Sequence, residues 1–173
     1  MGLRASGKTT LGPMLGDRIG AAFVDLDDHS ALRLGSPSAA AAIRDHGMDK
    51  FRLSESQALE TALATRRVKP LVLALGGGTP TFPASHERLL AARSAGCALI
   101  YLHASPGVLR SRLGKTDVSS RPSLTGEGVL AEVETVYLQR DPIYRALATA
   151  TIDAEGSPDA TLGRLVDALK PRG

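Results

Sequence analysis

The 173-residue sequence predicts an α/β fold, a parallel sheet with helices on both faces. Three observations predict it. Gly2-Leu3-Arg4-Ala5-Ser6-Gly7-Lys8-Thr9 meets the phosphate-loop pattern G-x-x-x-x-G-K-[ST] at every fixed position, and such a loop joins a strand to a helix N-terminus. Apolar runs of strand length alternate with amphipathic stretches of helix length. The runs within "PLVLALGGGTP" and "CALIYLHA" lack polar interruption, as strands covered on both faces require.

Each element follows in chain order. "TTLGPMLGDRIG" is the helix after the loop, although Pro13 and two glycines lie inside it. "AAFVDLDD" is a short strand ending in carboxylates; Asp25 and Asp27, two apart, share one strand face, and Asp28 is a candidate helix cap. "SPSAAAAIRDHGMDKFRLSESQALETALATRR" holds two helices that part around "HGMD". "PLVLALGGGTP" is a buried strand stopped by glycines, "SHERLLAARSAG" a helix and "CALIYLHA" a second buried strand. "SPGVLRSRLG" opens a helix with Ser105 as cap and Pro106 in its first position. "KTDVSSRPSLTGEG" is polar and contains Pro and Gly, so it is expected to be a mobile surface loop. "VLAEVETVYLQRDPIYRALA" returns to helix, "TATIDA" is a short strand, and "SPDATLGRLVDAL" is a last helix capped by Ser157.

Four strands are visible in this reading, and the phosphate loop calls for one more just ahead of Gly2, where only Met1 stands. The first, central strand is therefore expected to be missing from the N-terminus, and the chain as given to be truncated there. Without it a trough with unpaired backbone groups would separate its neighbours.

Composition narrows the function. Residues 1–173 suffice for a single domain with a core. Aromatic residues make up 3% with no Trp, and no dense Lys/Arg run occurs, so neither a stacking platform nor a charge footprint for nucleic acid is present. The net charge of +3 is instead read as arginines serving an anionic ligand. Cys97 is the single cysteine, which excludes an intramolecular disulfide and a cysteine-cluster metal site. No apolar stretch is long enough for a membrane span and no signal peptide is seen, so a cytoplasmic protein with no membrane partner is expected.

The motifs carry the chemistry. Small residues in the loop let backbone N–H groups converge on phosphate oxygens at a helix N-terminus. Lys8 would reach the β- and γ-phosphates and the Thr9 hydroxyl would ligate Mg²⁺. Of Asp25 and Asp27, one could hold Mg²⁺ through water while the other accepts a proton from a substrate hydroxyl. Gly76, Gly77 and Gly78 end a strand without Cβ atoms, which permits close approach of a ligand. Arg52, Arg121 and Arg140 suit bidentate capture of carboxylate or phosphate, and Glu55, three residues after Arg52, could hold that guanidinium. The four histidines are scattered singly, without metal-ligand spacing.

Taken in order, "GLRASGKTTLG", "FVDLDD", "FRLSE", "LGGGTP", "RPSL" and "QRDPIYRALA" resemble the shikimate kinases. The resemblance implies a three-layer P-loop fold like that of the nucleoside monophosphate kinases, and phosphorylation of the 3-hydroxyl of shikimate with ATP and Mg²⁺. It implies a nucleotide site of Gly2, Ser6, Gly7, Lys8, Thr9 and Thr10, completed by Arg112 against adenine and Arg121 over the phosphates. Thr9 and Asp25 would serve the metal, and Asp27 would be the base that meets the shikimate hydroxyls. Arg52 and Arg140 would clamp the shikimate carboxylate beside Gly76, Gly77 and Gly78, with Glu55 orienting Arg52. The polar loop would be a lid over about 113–127, and the enzyme a monomer. Two departures stand out: Ala5 where the family usually has glycine, a strained choice if φ is positive there, and Ser123 where an apolar residue is usual. Two other functions fit parts of the pattern: a ligand sensor of the same fold without turnover, and a kinase of another polyol acid such as gluconate.

Overall fold

The structure is a computed structural model, and it describes residues 1–65, 70–115, 123, 126 and 128–170. Arg121 and most of the expected lid lie outside the described residues. The described elements are α1 (Lys8–Ile19), β1 (Ala22–Asp25), α2 (Leu26–Arg33), α3 (Ala39–His46), α4 (Met48–Thr65), β2 (Leu71–Ala74), a 3₁₀ turn (Thr79–Thr81), α5 (Pro83–Ser94), β3 (Ile100–His103), α6 (Pro106–Leu113), α7 (Val133–Leu147), β4 (Ala150–Asp153) and α8 (Pro158–Ala168).

The strands pair in parallel, as buried α/β strands joined by helices do. Strand β1 pairs with β2 from Ala22↔Leu71 to Asp25↔Ala74, and β3 with β4 from Ile100↔Ala150 to His103↔Asp153. Strand alternation sorts the core into two layers. Ile100, Leu102 and Ile152 pack with Leu11 and Leu15 of α1 and Leu165 of α8. Leu99 and Tyr101 face the other way, into a cluster with Leu59 of α4, Leu89 of α5, and Tyr144 and Leu147 of α7. The result is the expected helix–sheet–helix sandwich. Glycine inside α1 has a packing reason: a Cβ on Gly12 would overlap the Phe23 ring of β1.

The two strand pairs form separate sheets, and a groove lies between β2 and β3. Its volume is about 330 Å³, and Leu71, Leu73, Ile100 and Leu102 line it above Leu11 and Leu15 of α1. Met1 occupies one end in parallel register with β3: its amine donates to the Ile100 carbonyl at 2.7 Å and its carbonyl accepts from the Leu102 N–H at 2.9 Å. Burial, reinforced by the charge of Lys8, pushes that amine down to about 5.

One element departs from expectation. Strand β1 stops at Asp25 and a helix starts at Leu26, so Asp25 and Asp27 do not share a strand face. The cap is Asp25 rather than Asp28: its carboxylate accepts the Asp27 N–H at 3.0 Å, satisfying a helix-start donor and turning the chain out of the sheet. At the other expected caps, the Ser157 side chain accepts from Ala160 N–H, whereas Ser105 makes no side-chain cap bond.

Candidate active site

A cavity of about 770 Å³ opens at the C-terminal ends of the strands, where open α/β sheets bind ligands. The phosphate loop forms one wall, with Ser6, Gly7, Lys8, Thr9 and Thr10 all lining it. Gly7 takes φ 96° immediately ahead of α1, so the loop delivers its backbone to the helix N-terminus. Lys8 folds back along the loop, donating to the carbonyls of Gly2 at 2.8 Å and Leu3 at 3.0 Å. Ala5 has φ 61°, the single non-glycine residue with positive φ among the described residues, as its place in the loop foreshadowed. Gly2 does not line the cavity. A Cβ there would lie 2.5 Å from Ser6 Oγ and 2.8 Å from the Leu102 carbonyl, so this glycine seats the loop against β3.

Asp25 and Asp27 both reach the cavity, one from the cap and one from the first turn of α2. Thr9 Oγ1 lies 3.4 Å from Asp25 Oδ2, two hard oxygen donors side by side. Burial raises both carboxyl pKa values above the ordinary range. For Asp27 the charge of Glu55 adds to the rise, while Lys8 and Arg52 oppose it. Among the described residues no cluster of three or more His, Cys, Asp or Glu side chains is arranged for a metal.

The glycine triplet backs four charged side chains. A Cβ on Gly76 would overlap the carboxylates of Asp27 and Glu55, and one on Gly78 would overlap the Arg52 guanidinium. At Gly77 a Cβ would stand 3.2 Å from Arg140 Nη1. The Gly77 carbonyl accepts from Arg140 Nη1 at 2.7 Å and also from the Tyr144 hydroxyl. Gly77 and Gly78 line the cavity, while Gly76 stands behind it. Arg52 and Arg140 thus converge from α4 and α7 on one strand end.

Glu55 is fully buried and holds Arg52 Nη1 at 2.5 Å, while the Thr79 hydroxyl donates to its other oxygen. Arg112 lines the cavity beside the loop, donating to the Ala154 carbonyl at 2.7 Å and the Glu155 carbonyl at 3.2 Å. Thr79 and Tyr144 were not singled out in the sequence. Tyr144 had a readable signal, since it sits four residues after Arg140 on one helix face.

The arrangement is an anion-binding loop and a pair of arginines at one cavity, with a basic carboxylate beside them. Comparison with known proteins decides what it belongs to. The family model described as shikimate kinase matches residues 4–170. The chain belongs to the shikimate kinase family. It is 36% identical over 170 residues to shikimate kinase 2 of Yersinia enterocolitica, covering 98% of this chain and 92% of that one. It is 38% identical over 174 residues to a shikimate kinase of Oleidesulfovibrio alaskensis, covering 100% and 96%. The structure of Acinetobacter baumannii shikimate kinase in complex with shikimate matches with TM-score 0.81 at 27% identity, covering 98% and 92%. A Sinorhizobium meliloti gluconokinase shares the fold less closely, with TM-score 0.61 at 22% identity over 98% and 92%. The family places the chain among the P-loop kinases, phosphotransferases that use ATP. No helix among the described residues is long and apolar enough to cross a membrane.

Proposed function

We propose that this protein transfers the γ-phosphoryl group of ATP to the 3-hydroxyl of shikimate. The observation that carries the reading is the single cavity in which the phosphate loop, Asp27 and the Arg52–Arg140 pair all meet. One substrate is an anion that a backbone cradle suits. The other carries a carboxylate and hydroxyls, which calls for arginine and carboxylate rather than an aromatic pocket.

Each residue then has a task. Ser6, Gly7, Lys8, Thr9 and Thr10 bind the phosphates, and Arg112 flanks the nucleotide beside them. Arg52 and Arg140 grip the acceptor carboxylate, Arg52 fixed by Glu55 and Arg140 by the Gly77 carbonyl. That grip sets the acceptor hydroxyl toward Asp27, whose raised pKa makes it a better proton acceptor than an ordinary aspartate. Arg121, outside the described residues, is assigned to the transferring phosphoryl group on the resemblance alone.

Mg²⁺ fits the donor set: Thr9 Oγ1 and the Asp25 carboxylate are the hard oxygens it prefers, and it commonly takes few protein ligands. When bound it would offset negative charge on the phosphate oxygens. The same reading makes the enzyme a cytoplasmic monomer, to which a lone cysteine is suited.

The test is ADP release with ATP, Mg²⁺ and shikimate, run in parallel with gluconate. Shikimate-dependent ADP is expected. Shikimate binding without ADP would turn the reading into a sensor, and faster turnover of gluconate would reassign the acceptor.

A further inference from the structure

Glu132 is 2% exposed, an unusual place for a carboxylate that none of the roles above uses. It precedes α7, and its two oxygens reach two separate parts of the chain. Oε1 accepts from Arg4 Nη1 at 3.3 Å, and Oε2 accepts from the Ser123 hydroxyl at 2.7 Å. Arg4 belongs to the phosphate loop and lines the large cavity. The Ser123 oxygen in turn accepts the N–H groups of Gly126 at 2.9 Å and Gly128 at 3.2 Å. One donated and two accepted bonds use the whole capacity of a hydroxyl. Ser123 is therefore a built polar anchor. A small cavity of about 20 Å³ is lined by Arg4, Glu132 and Arg140 among mostly apolar side chains.

We propose that Glu132 is a positioning residue for the phosphoryl donor. It holds the Arg4 guanidinium at the rim of the phosphate loop and ties to it Ser123, whose oxygen in turn holds the Gly126 and Gly128 N–H groups. The inference rests on the kinase reading above for its purpose. Its first readout, however, is nucleotide binding, which needs no acceptor.

ATP affinity at equilibrium and the two KM values are measured for Ser123→Ala, Ser123→Thr, Glu132→Gln and the Ser123→Ala/Glu132→Gln pair. Ser123→Ala and Glu132→Gln are each expected to weaken ATP binding and raise its KM about tenfold, while shikimate KM stays within twofold. Ser123→Thr, which keeps the hydroxyl, is expected to restore both, and the double variant to be no worse than its weaker parent. Unchanged ATP affinity in Ser123→Ala overturns the proposal, as do equal shifts in both KM values or failure of Thr to rescue. Should Glu132→Gln fail to fold, the Ala and Thr variants at the half-buried position 123 still decide the matter. A tenfold loss of ATP affinity in a protein that never phosphorylates shikimate upholds the role of Glu132 and removes the acceptor reading instead.

Discussion

Arg52 donates across 2.5 Å to the fully buried carboxylate of Glu55, one turn further along α4, and this pair fixes one wall of the cavity before any ligand arrives. The Arg52 side chain is only 15% exposed, so its charge has few other ways to be satisfied. Removing one partner of a buried pair leaves the other unpaired, at a cost of about 3–5 kcal/mol. Glu55→Ala is expected to lose stability on that scale in denaturant unfolding. The milder Glu55→Gln is expected to fold and to raise the KM for shikimate with little change in that for ATP. Equal KM values in variant and parent would show that Arg52 keeps its place without the carboxylate.

The glycine triplet offers a sharper dissection, because its positions back different side chains. Gly78→Ala intrudes on Arg52, a long side chain that can swing aside, so weaker acceptor binding is expected with turnover partly kept. Gly76→Ala intrudes on Asp27 and Glu55 together, two short carboxylates on separate helices, so a loss in kcat is expected in addition to weaker acceptor binding. Steady-state kinetics should therefore show a KM effect in both variants and a large kcat loss in Gly76→Ala alone. Identical profiles would mean that the triplet acts only as a turn.

Much of this site was legible because its residues are adjacent to sequence punctuation. The phosphate loop and "GGG" announce themselves by glycines, and "FRLSE" places Glu55 one helical turn from Arg52. The four described strands were likewise readable as apolar runs. Helix α2 was not, since "LDDHSALR" has little apolar periodicity and its start depends on the Asp25 side chain accepting the Asp27 N–H. Glu132 was illegible for a different reason. Its partners Arg4 and Ser123 are brought together by the tertiary fold, and Arg4 lies 128 residues away in the sequence.

The proton of Asp27 joins stability to the role proposed for it in catalysis. Burial and the neighbouring Glu55 raise its pKa, so the folded protein keeps a proton there at pH values where the unfolded chain has released it. Stability from this group is therefore present below the ordinary carboxylate value and falls as pH rises through the raised one. Asp27→Asn removes the penalty on the charged form, and a higher Tm at neutral pH is expected with phosphoryl transfer reduced by roughly 10²–10⁴-fold. In the parent, kcat/KM should drop on the acid side at a pH above that of an ordinary aspartate. A variant that keeps normal turnover would remove Asp27 from proton transfer.

Ala5 is strained where its loop must bend, at φ 61°. The left-handed region costs an L-residue about 1–2 kcal/mol, and glycine returns part of that gain by its greater freedom in the unfolded chain. Ala5→Gly is thus expected to stabilise by up to about 1 kcal/mol without harming ATP binding, as read by the midpoint of urea unfolding. A destabilised variant would mean that the Ala5 methyl contributes packing that outweighs its backbone strain.

The groove between β2 and β3 can be tested by filling it. Its walls are apolar on both sides, and Met1 already pairs in register with β3 at its end. An extended segment of five β-branched residues placed ahead of Met1 would continue that register and pair with both neighbouring edges. It would also convert the Met1 amine to a peptide N–H. As an amine, that group titrates at about 5 when folded against an ordinary value of 8.0, so the unfolded state binds more protons between those limits. The contribution of this amine to stability is therefore expected to rise as pH increases from about 5 to about 8, opposite in sign to that of Asp27. The extended chain is expected to show a Tm higher by several degrees, to slow hydrogen exchange at the β2 and β3 amides, and to lose the share of that pH slope due to the amine. An extension that changes neither Tm nor exchange would show that the groove does not accept a strand.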